Sequence, residues 1–189
     1  MNFLTIYFLT VVINVHIVYN YDIKYIFTVN RDSYMIAQNG DKNSILFVCT
    51  GNTCRSPMAE YYFNSGAKKL GLNYIAKSRG LYADSGIGMS ANAKKVLVSR
   101  NIAEKIEDIT HKSKQIDMDI VEKADIIYGI TVHHQIRLKE EFPEFGDKIL
   151  NMPEDIGDPY GGSLEVYERC FENIKKSVDS IIKSLTGEN

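Results

Sequence analysis

Four short apolar runs follow one another along the chain from about Ser44 onwards, and each has the length of a strand. Continuous apolar runs of this length are typical of strands that are buried on both faces of a parallel sheet. The clearest run is Ile-Leu-Phe-Val. The strands are predicted at residues 45–48, 74–77, 124–129 and 148–150.

Apolar residues at helical spacing predict helices between and after these strands. In the last helix they step by three and four without a break, at Leu164, Tyr167, Phe171, Ile174, Val178, Ile181 and Leu185. Shorter helices are predicted over residues 93–98, 118–123 and 133–142. This alternation predicts an α/β fold, in which right-handed crossovers place helices on both faces of a parallel sheet.

The first predicted helix begins at Ser56-Pro57, with Ser56 as the N-cap and Pro57 at the first helical position. Its apolar face runs as far as Leu70. Gly71 is suited to end it, because glycine adopts the left-handed conformation that closes many helices. The segment before this helix is therefore a tight loop between a buried strand and a helix N-terminus.

That loop, residues 49–56, carries the candidate chemistry. Gly51 and Asn52 tolerate left-handed backbone angles, so that N–H groups can turn inward and form an anion-binding nest beside the positive end of the helix dipole. A thiol facing such a nest, here Cys49, ionises readily to the nucleophilic thiolate. Arg55 adds a planar fork for a tetrahedral oxyanion. The Cys-x5-Arg spacing is weak alone, but with the strand before it and the helix after it indicates an active site.

Composition excludes several other classes of function. The formal net charge is −2, which gives no electrostatic argument for a nucleic-acid partner or an acidic membrane surface. Three cysteines, two of them in one loop, do not make a disulfide framework and indicate a reducing, cytoplasmic setting. No cluster has metal-ligand spacing, and the adjacent His133 and His134 suit a helix surface better than chelation. We expect neither a metal nor a cofactor.

Two stretches resemble a known family. Residues 48–60, Val-Cys-Thr-Gly-Asn-Thr-Cys-Arg-Ser-Pro-Met-Ala-Glu, are similar to the phosphate loop of the low-molecular-weight protein tyrosine phosphatases. They resemble most closely the bacterial protein-arginine phosphatase branch. Residues 158–163, Asp-Pro-Tyr-Gly-Gly-Ser, resemble the general-acid loop of that family. The resemblance runs from about Ser44 to Leu185 and implies one phosphatase domain, residues 44–189, with strand order 2-1-3-4.

The chemistry expected from these residues is phosphoryl transfer through cysteine. Cys49 attacks phosphorus and forms a cysteinyl-phosphate. The loop holds the phosphoryl oxygens through its amides and Arg55, and comprises Thr50, Gly51, Asn52, Thr53, Cys54, Arg55 and Ser56. Asp158 is the candidate general acid and later the base for water. An ordinary Asp-Pro turn is the alternative, which the matching residues after Pro159 disfavour.

The resemblance also implies supporting residues. Asn52 is held by partners that match Ser78 and His111, although His111 can equally be a solvated loop histidine. Ser56 is expected to hydrogen-bond the thiolate, besides capping the helix. Cys54 matches a cysteine that forms a reversible disulfide with the nucleophile in the family. Its alternative interpretation is a small buried residue.

Substrate choice is predicted from Thr53. The arginine-phosphatase branch carries Thr at the matching place, whereas tyrosine-specific members usually carry an aliphatic residue. A hydroxyl there can hydrogen-bond a guanidinium, and this favours phosphoarginine. Leu81, Tyr82 and Tyr160 are expected as pocket walls. Because an aromatic wall also suits a phosphotyrosine ring, a tyrosine phosphatase remains the alternative.

Two other classes are disfavoured. Arsenate reductases share the Cys-x5-Arg loop but need two further cysteines after the second strand, and residues 80–110 contain none. A non-catalytic phosphoprotein-binding module is expected to lose Cys49, Arg55 or Asp158, and this sequence has all three. We therefore expect an enzyme that acts on phosphorylated proteins, and we expect it to be a monomer.

The N-terminal stretch, residues 1–43, lies outside the resemblance. Residues 1–21 contain no Asp, Glu, Lys or Arg, and residues 3–19 are nearly all apolar apart from Asn14 and His16. A membrane anchor, an unstructured extension, a signal peptide and upstream sequence read in frame before a start at Met35 all stay open. The protein would have a membrane partner only if this stretch is an anchor. Because the family that it resembles is cytosolic, the resemblance favours an unstructured extension or upstream sequence.

Overall fold

The computed structural model describes residues 42–187, so that the predicted N-terminal extension lies outside the described residues except for its last two. Within that range four parallel strands form one sheet in the order β2-β1-β3-β4, which confirms the predicted order. The strands are β1 (Asn43–Cys49), β2 (Tyr74–Gly80), β3 (Ile126–Gly129) and β4 (Ile149–Asn151).

Five α-helices connect and flank these strands in the described part of the chain. They are α1 (Arg55–Leu70), α2 (Ala91–Ser99), α3 (Met118–Lys123), α4 (Val132–Glu141) and α5 (Leu164–Thr186). Two short 3-10 helices span Ile106–Asp108 and Pro143–Lys148. None of the helices in residues 42–187 is long and apolar enough to cross a membrane.

The central strand β1 is buried on both faces, as its unbroken apolar run predicts. Ile45 and Phe47 face a core that contains side chains of α1, α2 and α5. Leu46 and Val48 face a second core with side chains of α3 and α4. Successive residues of a strand point to opposite faces, and so one four-residue run supplies both cores.

The strands end together at the edge of the sheet where the candidate chemistry begins. In the parallel register, Cys49 of β1 lies beside Gly80 of β2, and Val48 lies beside Gly129 of β3. Ligands of open α/β sheets bind at this carboxyl edge. The loops that follow β1, β2 and β3 are therefore brought to one place.

The start of α1 differs from its prediction. The helix begins at Arg55 with Cys54 in the N-cap position and without a side-chain cap, so Ser56 is not the N-cap. The first helical hydrogen bond joins the Met58 N–H to the Cys54 carbonyl at 3.1 Å, because the loop already winds into helical geometry before Ser56. Pro57 is tolerated within the first turn, where N–H groups have no intrahelical partner.

The end of α1 also differs from its prediction in one respect. Leu70 is 60% exposed and not part of the buried face. Gly71 has φ of 65° and closes the helix as predicted. Its N–H and that of Leu72 bond the carbonyls of Lys68 and Ala67 at 3.4 and 2.9 Å, which is a Schellman motif. The turn brings Leu72, in place of Leu70, against the core.

Candidate active site

Cys49 lies at the end of β1, buried beneath the loop that follows. Its Sγ accepts a hydrogen bond from the Asn52 backbone N–H at 3.3 Å, and the Ser56 hydroxyl lies 3.0 Å from it. The expected contact between Ser56 and the thiol is therefore present, although Ser56 does not cap the helix.

The loop turns its carbonyl groups outward. The carbonyls of Cys49 and Thr50 accept hydrogen bonds from the backbone N–H groups of Leu81 and Tyr82 at 2.8 and 2.9 Å. The Thr53 carbonyl accepts one from the Ser90 backbone N–H at 2.9 Å. In a planar trans peptide the next residue's N–H points away from its carbonyl. The amides of Thr50, Gly51 and Cys54 therefore point to the inside of the loop, as an anion nest requires.

Asn52 is the structural centre of the loop. It is fully buried with φ of 54°, a left-handed conformation that asparagine tolerates. Its Nδ2 donates to Ser78 Oγ at 2.9 Å and to Ser56 Oγ at 3.0 Å. Its Oδ1 accepts from Lys114 N at 3.0 Å, and its carbonyl accepts from His111 Nε2 at 2.8 Å. The structure thus brings Ser78 and His111 to Asn52, and burial lowers the pKa of His111.

Two further residues hold this arrangement from outside the loop. The Ser78 hydroxyl donates to Glu60 Oε2 at 2.6 Å, and burial raises the pKa of Glu60. A Cβ on Gly80 would stand 2.6 Å from the Thr50 carbonyl and 3.1 Å from Asn52 N. Only glycine therefore lets the loop pack this closely on the end of β2.

Arg55 lies near the end of the loop, where α1 begins, and is 5% exposed. Its Nη2 forms an ion pair with Asp158 Oδ2 at 2.6 Å and donates to Thr50 Oγ1 at 3.4 Å. Its Nη1 donates to the Ile156 carbonyl at 3.4 Å. Among the described residues its buried Nε has no hydrogen-bond partner. A buried donor without a partner is costly, and here it is available to an oxyanion.

Asp158 reaches this site from the loop before α5. Its other oxygen, Oδ1, accepts from the Tyr160 N–H at 3.1 Å, and the Pro159 carbonyl accepts from Gly162 N–H at 2.9 Å. Local turn bonds of this kind fix an aspartate carboxylate relative to its backbone. The side chain is half exposed, so Asp158 faces both Arg55 and solvent.

The predicted catalytic residues and most of the predicted loop and wall residues surround one cavity of about 430 Å³. Its lining residues are Cys49, Thr50, Gly51, Thr53, Cys54, Arg55, Tyr82, Asp84, Ile87, Gly88, Ser90, Asp158 and Tyr160. Leu81 is not among them: it is 3% exposed and packs in the second core with Leu46 and Val48, so its prediction as a pocket wall is wrong. The side chain of Leu81 enters the core while that of Tyr82 stays at the cavity.

Sequence reasoning missed several residues near the site, among them Asp84 and His134. Asp84 lines the cavity and has no ion pair or side-chain hydrogen bond within residues 42–187. His134 is 4% exposed rather than on the helix surface, and its Nε2 lies 3.0 Å from Thr50 Oγ1. The sequence signal that could have identified His134 was its position in the first turn of the helix after β3. This turn lies at the carboxyl edge of the sheet, where ligands bind.

The three cysteines are free thiols. Cys54 donates to Ser90 Oγ at 3.3 Å and lies 3.3 Å from the Tyr167 hydroxyl. Cys170 is buried in α5, where burial raises the pKa of its thiol to about 12. Among residues 42–187 no group of three or more His, Cys, Asp or Glu side chains is arranged to hold a metal ion.

Comparison with known proteins identifies the family. A family model described as "Low molecular weight phosphotyrosine protein phosphatase" matches residues 44–189. The chain belongs to this family. It is 32% identical over 148 residues to a protein-arginine-phosphatase of Bacillus subtilis (strain 168), across 75% of this chain and 95% of the relative. It is 35% identical over 136 residues to the low molecular weight protein-tyrosine-phosphatase PtpB of Staphylococcus haemolyticus (strain JCSC1435), across 69% of this chain and 91% of the relative.

A solved structure from the same family has the same fold as this chain. The YwlE arginine phosphatase, in a cysteine-to-serine variant with a phosphorylated active-site serine, aligns with a TM-score of 0.71 and 31% identity. The alignment covers 76% of this chain and 95% of that one. The family resemblance and the fold class predicted from sequence are both confirmed. The chain is a hydrolytic phosphatase of a family that acts on phosphorylated proteins.

Proposed function

We propose that this phosphatase hydrolyses phosphorylated proteins through a cysteinyl-phosphate on Cys49. The observation that carries the proposal is the convergence of Cys49, Arg55 and Asp158 on one cavity. These are a nucleophile, an oxyanion-binding cation and a proton donor, the three parts that phosphoryl transfer to a side chain needs. The phosphorylated serine in the active site of the solved YwlE variant supports a covalent intermediate at the matching place.

In the first step the Cys49 thiolate attacks phosphorus opposite the leaving group. The S–P bond forms as the bond from phosphorus to the leaving oxygen or nitrogen breaks, and protonated Asp158 gives that atom its proton. The inward amides and the Arg55 fork bind the equatorial oxygens and stabilise their charge in the transition state.

In the second step water attacks the cysteinyl-phosphate. Asp158, now a carboxylate, takes a proton from the water as the new O–P bond forms. The S–P bond breaks and returns the electron pair to the Cys49 sulfur. The Ser56 hydroxyl, 3.0 Å from that sulfur, stabilises the thiolate as it leaves. Inorganic phosphate is then released.

Substrate binding changes the partner of Arg55. In the structure the guanidinium is paired with Asp158. A phosphoryl dianion competes for the same fork and also reaches the buried Nε, which has no partner among the described residues. The exchange frees Asp158 to turn to the leaving group, and its half-exposed position gives it room to do so.

Phosphoarginine is the substrate that the cavity supports best. Thr53 offers a hydroxyl and Asp84 a carboxylate without a protein partner in the described residues. A phosphorylated guanidinium keeps N–H donors that need acceptors, and an aliphatic lining would leave them unpaired at a cost of about 1–3 kcal/mol. A phosphotyrosine ring has no such donors.

Phosphotyrosine is the second candidate. Tyr82 and Tyr160 line the mouth of the cavity and give a flat ring two aromatic faces. PtpB of Staphylococcus haemolyticus, which is similar to this chain, is a protein-tyrosine-phosphatase.

The test compares hydrolysis of one peptide carrying either phosphoarginine or phosphotyrosine. Wild type should have the higher kcat/KM on phosphoarginine, and Thr53→Ile should shift the ratio about tenfold towards phosphotyrosine. Thr53→Ser keeps the hydroxyl and should keep the ratio, whereas Thr53→Val keeps the shape and should behave like the isoleucine variant. A wild-type preference for phosphotyrosine, or an unchanged ratio in Thr53→Ile, contradicts this assignment.

We also propose that residues 44–189 form the phosphatase domain and act in the cytoplasm. The family match over this range and the free thiols support the proposal. A chain that begins at Met35 should have the same kcat/KM as the full chain. Loss of folding in the shorter chain would show that residues 1–34 pack on the domain.

A further inference from the structure

His134 makes a contact that the proposed mechanism does not use. Its ring is bonded at both nitrogens: Nδ1 lies 2.7 Å from Thr131 Oγ1, and Nε2 lies 3.0 Å from Thr50 Oγ1. Burial, with the nearby Arg55 charge, lowers the pKa of His134 to about 4, so the imidazole is neutral at physiological pH.

The backbone fixes both ends of this arrangement. Thr131 caps α4, and its Oγ1 accepts from the His134 backbone N–H at 3.4 Å. Thr50 is held by its outward carbonyl bond to Tyr82 N–H. The imidazole therefore joins the start of α4 to the phosphate loop, across 84 residues of sequence.

The hydrogen bonds at Thr50 Oγ1 decide where its own proton points. This oxygen accepts from Arg55 Nη2 at 3.4 Å. If Thr131 donates to Nδ1, then Nε2 carries the proton of the neutral ring and donates to Thr50 Oγ1. Both lone pairs of that oxygen are then occupied, and its O–H is free. Thr50 lines the cavity, so this O–H can donate to a phosphoryl oxygen of a substrate bound there.

We propose, on the basis of the phosphatase function above, that His134 is a positioning residue for the Thr50 hydroxyl. Through Nε2–H it holds Thr50 so that the hydroxyl donates to the phosphoryl group while its oxygen accepts from Arg55. The hydroxyl adds a side-chain donor to those of the loop amides and Arg55. A single hydrogen bond to a charged oxygen corresponds to about a tenfold change in kcat/KM.

The test is a double-mutant cycle with Thr50→Val and His134→Phe, with kcat/KM on an aryl phosphate and the Ki of inorganic phosphate as readouts. Thr50→Val nearly keeps the volume, whereas His134→Phe replaces the imidazole with a somewhat larger ring. Each substitution removes the hydrogen bonds of the side chain that it replaces. Each single variant should lose about tenfold in kcat/KM, and the double variant should lose no more than the worse single one. His134→Gln, whose amide can still donate to Thr50, should recover most of the loss.

A control lies next to the tested residue. His133 is exposed in the same turn of α4, and His133→Phe should keep wild-type kcat/KM. A further loss from His134→Phe in the Thr50→Val background overturns the inference, because His134 would then act without Thr50. So does a His134→Phe variant that loses thermal stability but keeps kcat/KM and Ki. Absence of turnover in wild type would instead overturn the proposed function and this inference with it.

Discussion

The two ends of the cavity are built differently. The cavity floor, residues 49–56, is largely buried, and its polar groups are bonded to loops and strands from across the sheet. The cavity rim consists of Tyr82, Asp84, Ile87 and Tyr160, and its two tyrosines are 62% and 74% exposed. Both ends line one space, but only the floor is held in place by many hydrogen bonds.

This difference separates chemistry from substrate choice. A floor side chain that is tied to several partners cannot change without leaving buried donors or acceptors unpaired, which is costly. A rim side chain contacts mainly solvent, so its replacement leaves the loop intact. We therefore expect changes in the floor, except at Thr53, to reduce turnover of every substrate. Thr53 lines the cavity, and within the described part of the chain its hydroxyl contacts only Cys54 Sγ, at 3.6 Å, so we expect changes there and in the rim to alter the ratio between substrates.

The largest effect is expected for Cys49→Ser. A serine hydroxyl in the same nest is far less ionised than a thiol, so turnover of an aryl phosphate should fall by at least about 10⁴-fold. Inorganic phosphate should still bind, because the amides and Arg55 remain, and titration calorimetry measures this. Cys170→Ser, a buried cysteine that does not line the cavity, is the matched control and should retain activity. Steady turnover by Cys49→Ser at the wild-type rate would exclude this cysteine as the nucleophile.

The next effect is expected for Asp158→Asn. Loss of the proton donor should slow substrates with poor leaving groups by roughly 10²–10⁴, and substrates with good leaving groups much less. The variant should also bind inorganic phosphate a few-fold more tightly, because Arg55 loses its anionic partner. Pre-steady-state rates across a series of aryl phosphates and a phosphate titration measure both effects. An equal loss for all leaving groups would assign Asp158 a structural role.

A third prediction tests the rigidity of the cavity floor through Asn52. Asn52→Ala removes the bonds to Ser78, Ser56 and Lys114 and should lower the free energy of unfolding by about 2–4 kcal/mol. The kcat/KM should fall about 10- to 100-fold for phosphoarginine and phosphotyrosine alike. Asn52→Gly loses the same bonds but adopts the positive φ without strain, so it should be the more stable of the two. A change in the substrate ratio would contradict the division between floor and rim.

The smallest effect is expected at the rim. Asp84→Asn should reduce kcat/KM for phosphoarginine about threefold and leave phosphotyrosine unchanged, because the exposed carboxylate attracts a cationic guanidinium only modestly. Asp147→Asn makes the same charge change in the 3-10 helix Pro143–Lys148, outside the cavity lining, and serves as the control. Equal losses for the two substrates would mean that Asp84 supports the structure of the phosphate loop and does not distinguish between the substrates.

The same division explains what the sequence could predict. The floor is a local segment, so the chain itself places Cys49 at the end of a buried strand and Arg55 at the start of a helix. Asp158 lies far away in sequence, and the strand order 2-1-3-4 likewise needed the family resemblance. Each predicted strand was found within a few residues of its place, because an unbroken apolar run reports burial directly.

The failures concern side chains whose direction depends on tertiary contacts. Leu81 and Tyr82 are neighbours in one loop, and nothing local indicates that the first enters the core and the second lines the cavity. His134 occupies a helix whose sequence allows a solvated histidine, and only the packing of α4 against the phosphate loop buries it. Residue preference favours Ser56 as the N-cap, and it cannot show that the N-cap lies two residues earlier, at Cys54.

The long-range bonds of Asn52 also have a consequence for how the chain folds. They join Asn52 to Ser78, His111 and Lys114, which lie 26, 59 and 62 positions away in sequence. A similar bond joins Thr50 to His134, 84 positions away. Closing such distant contacts is slow, and the loop gains its shape only when every partner segment has docked. In a refolding experiment, recovered phosphatase activity should therefore appear with the slowest phase of native structure, and an assay of turnover would report completed folding rather than collapse.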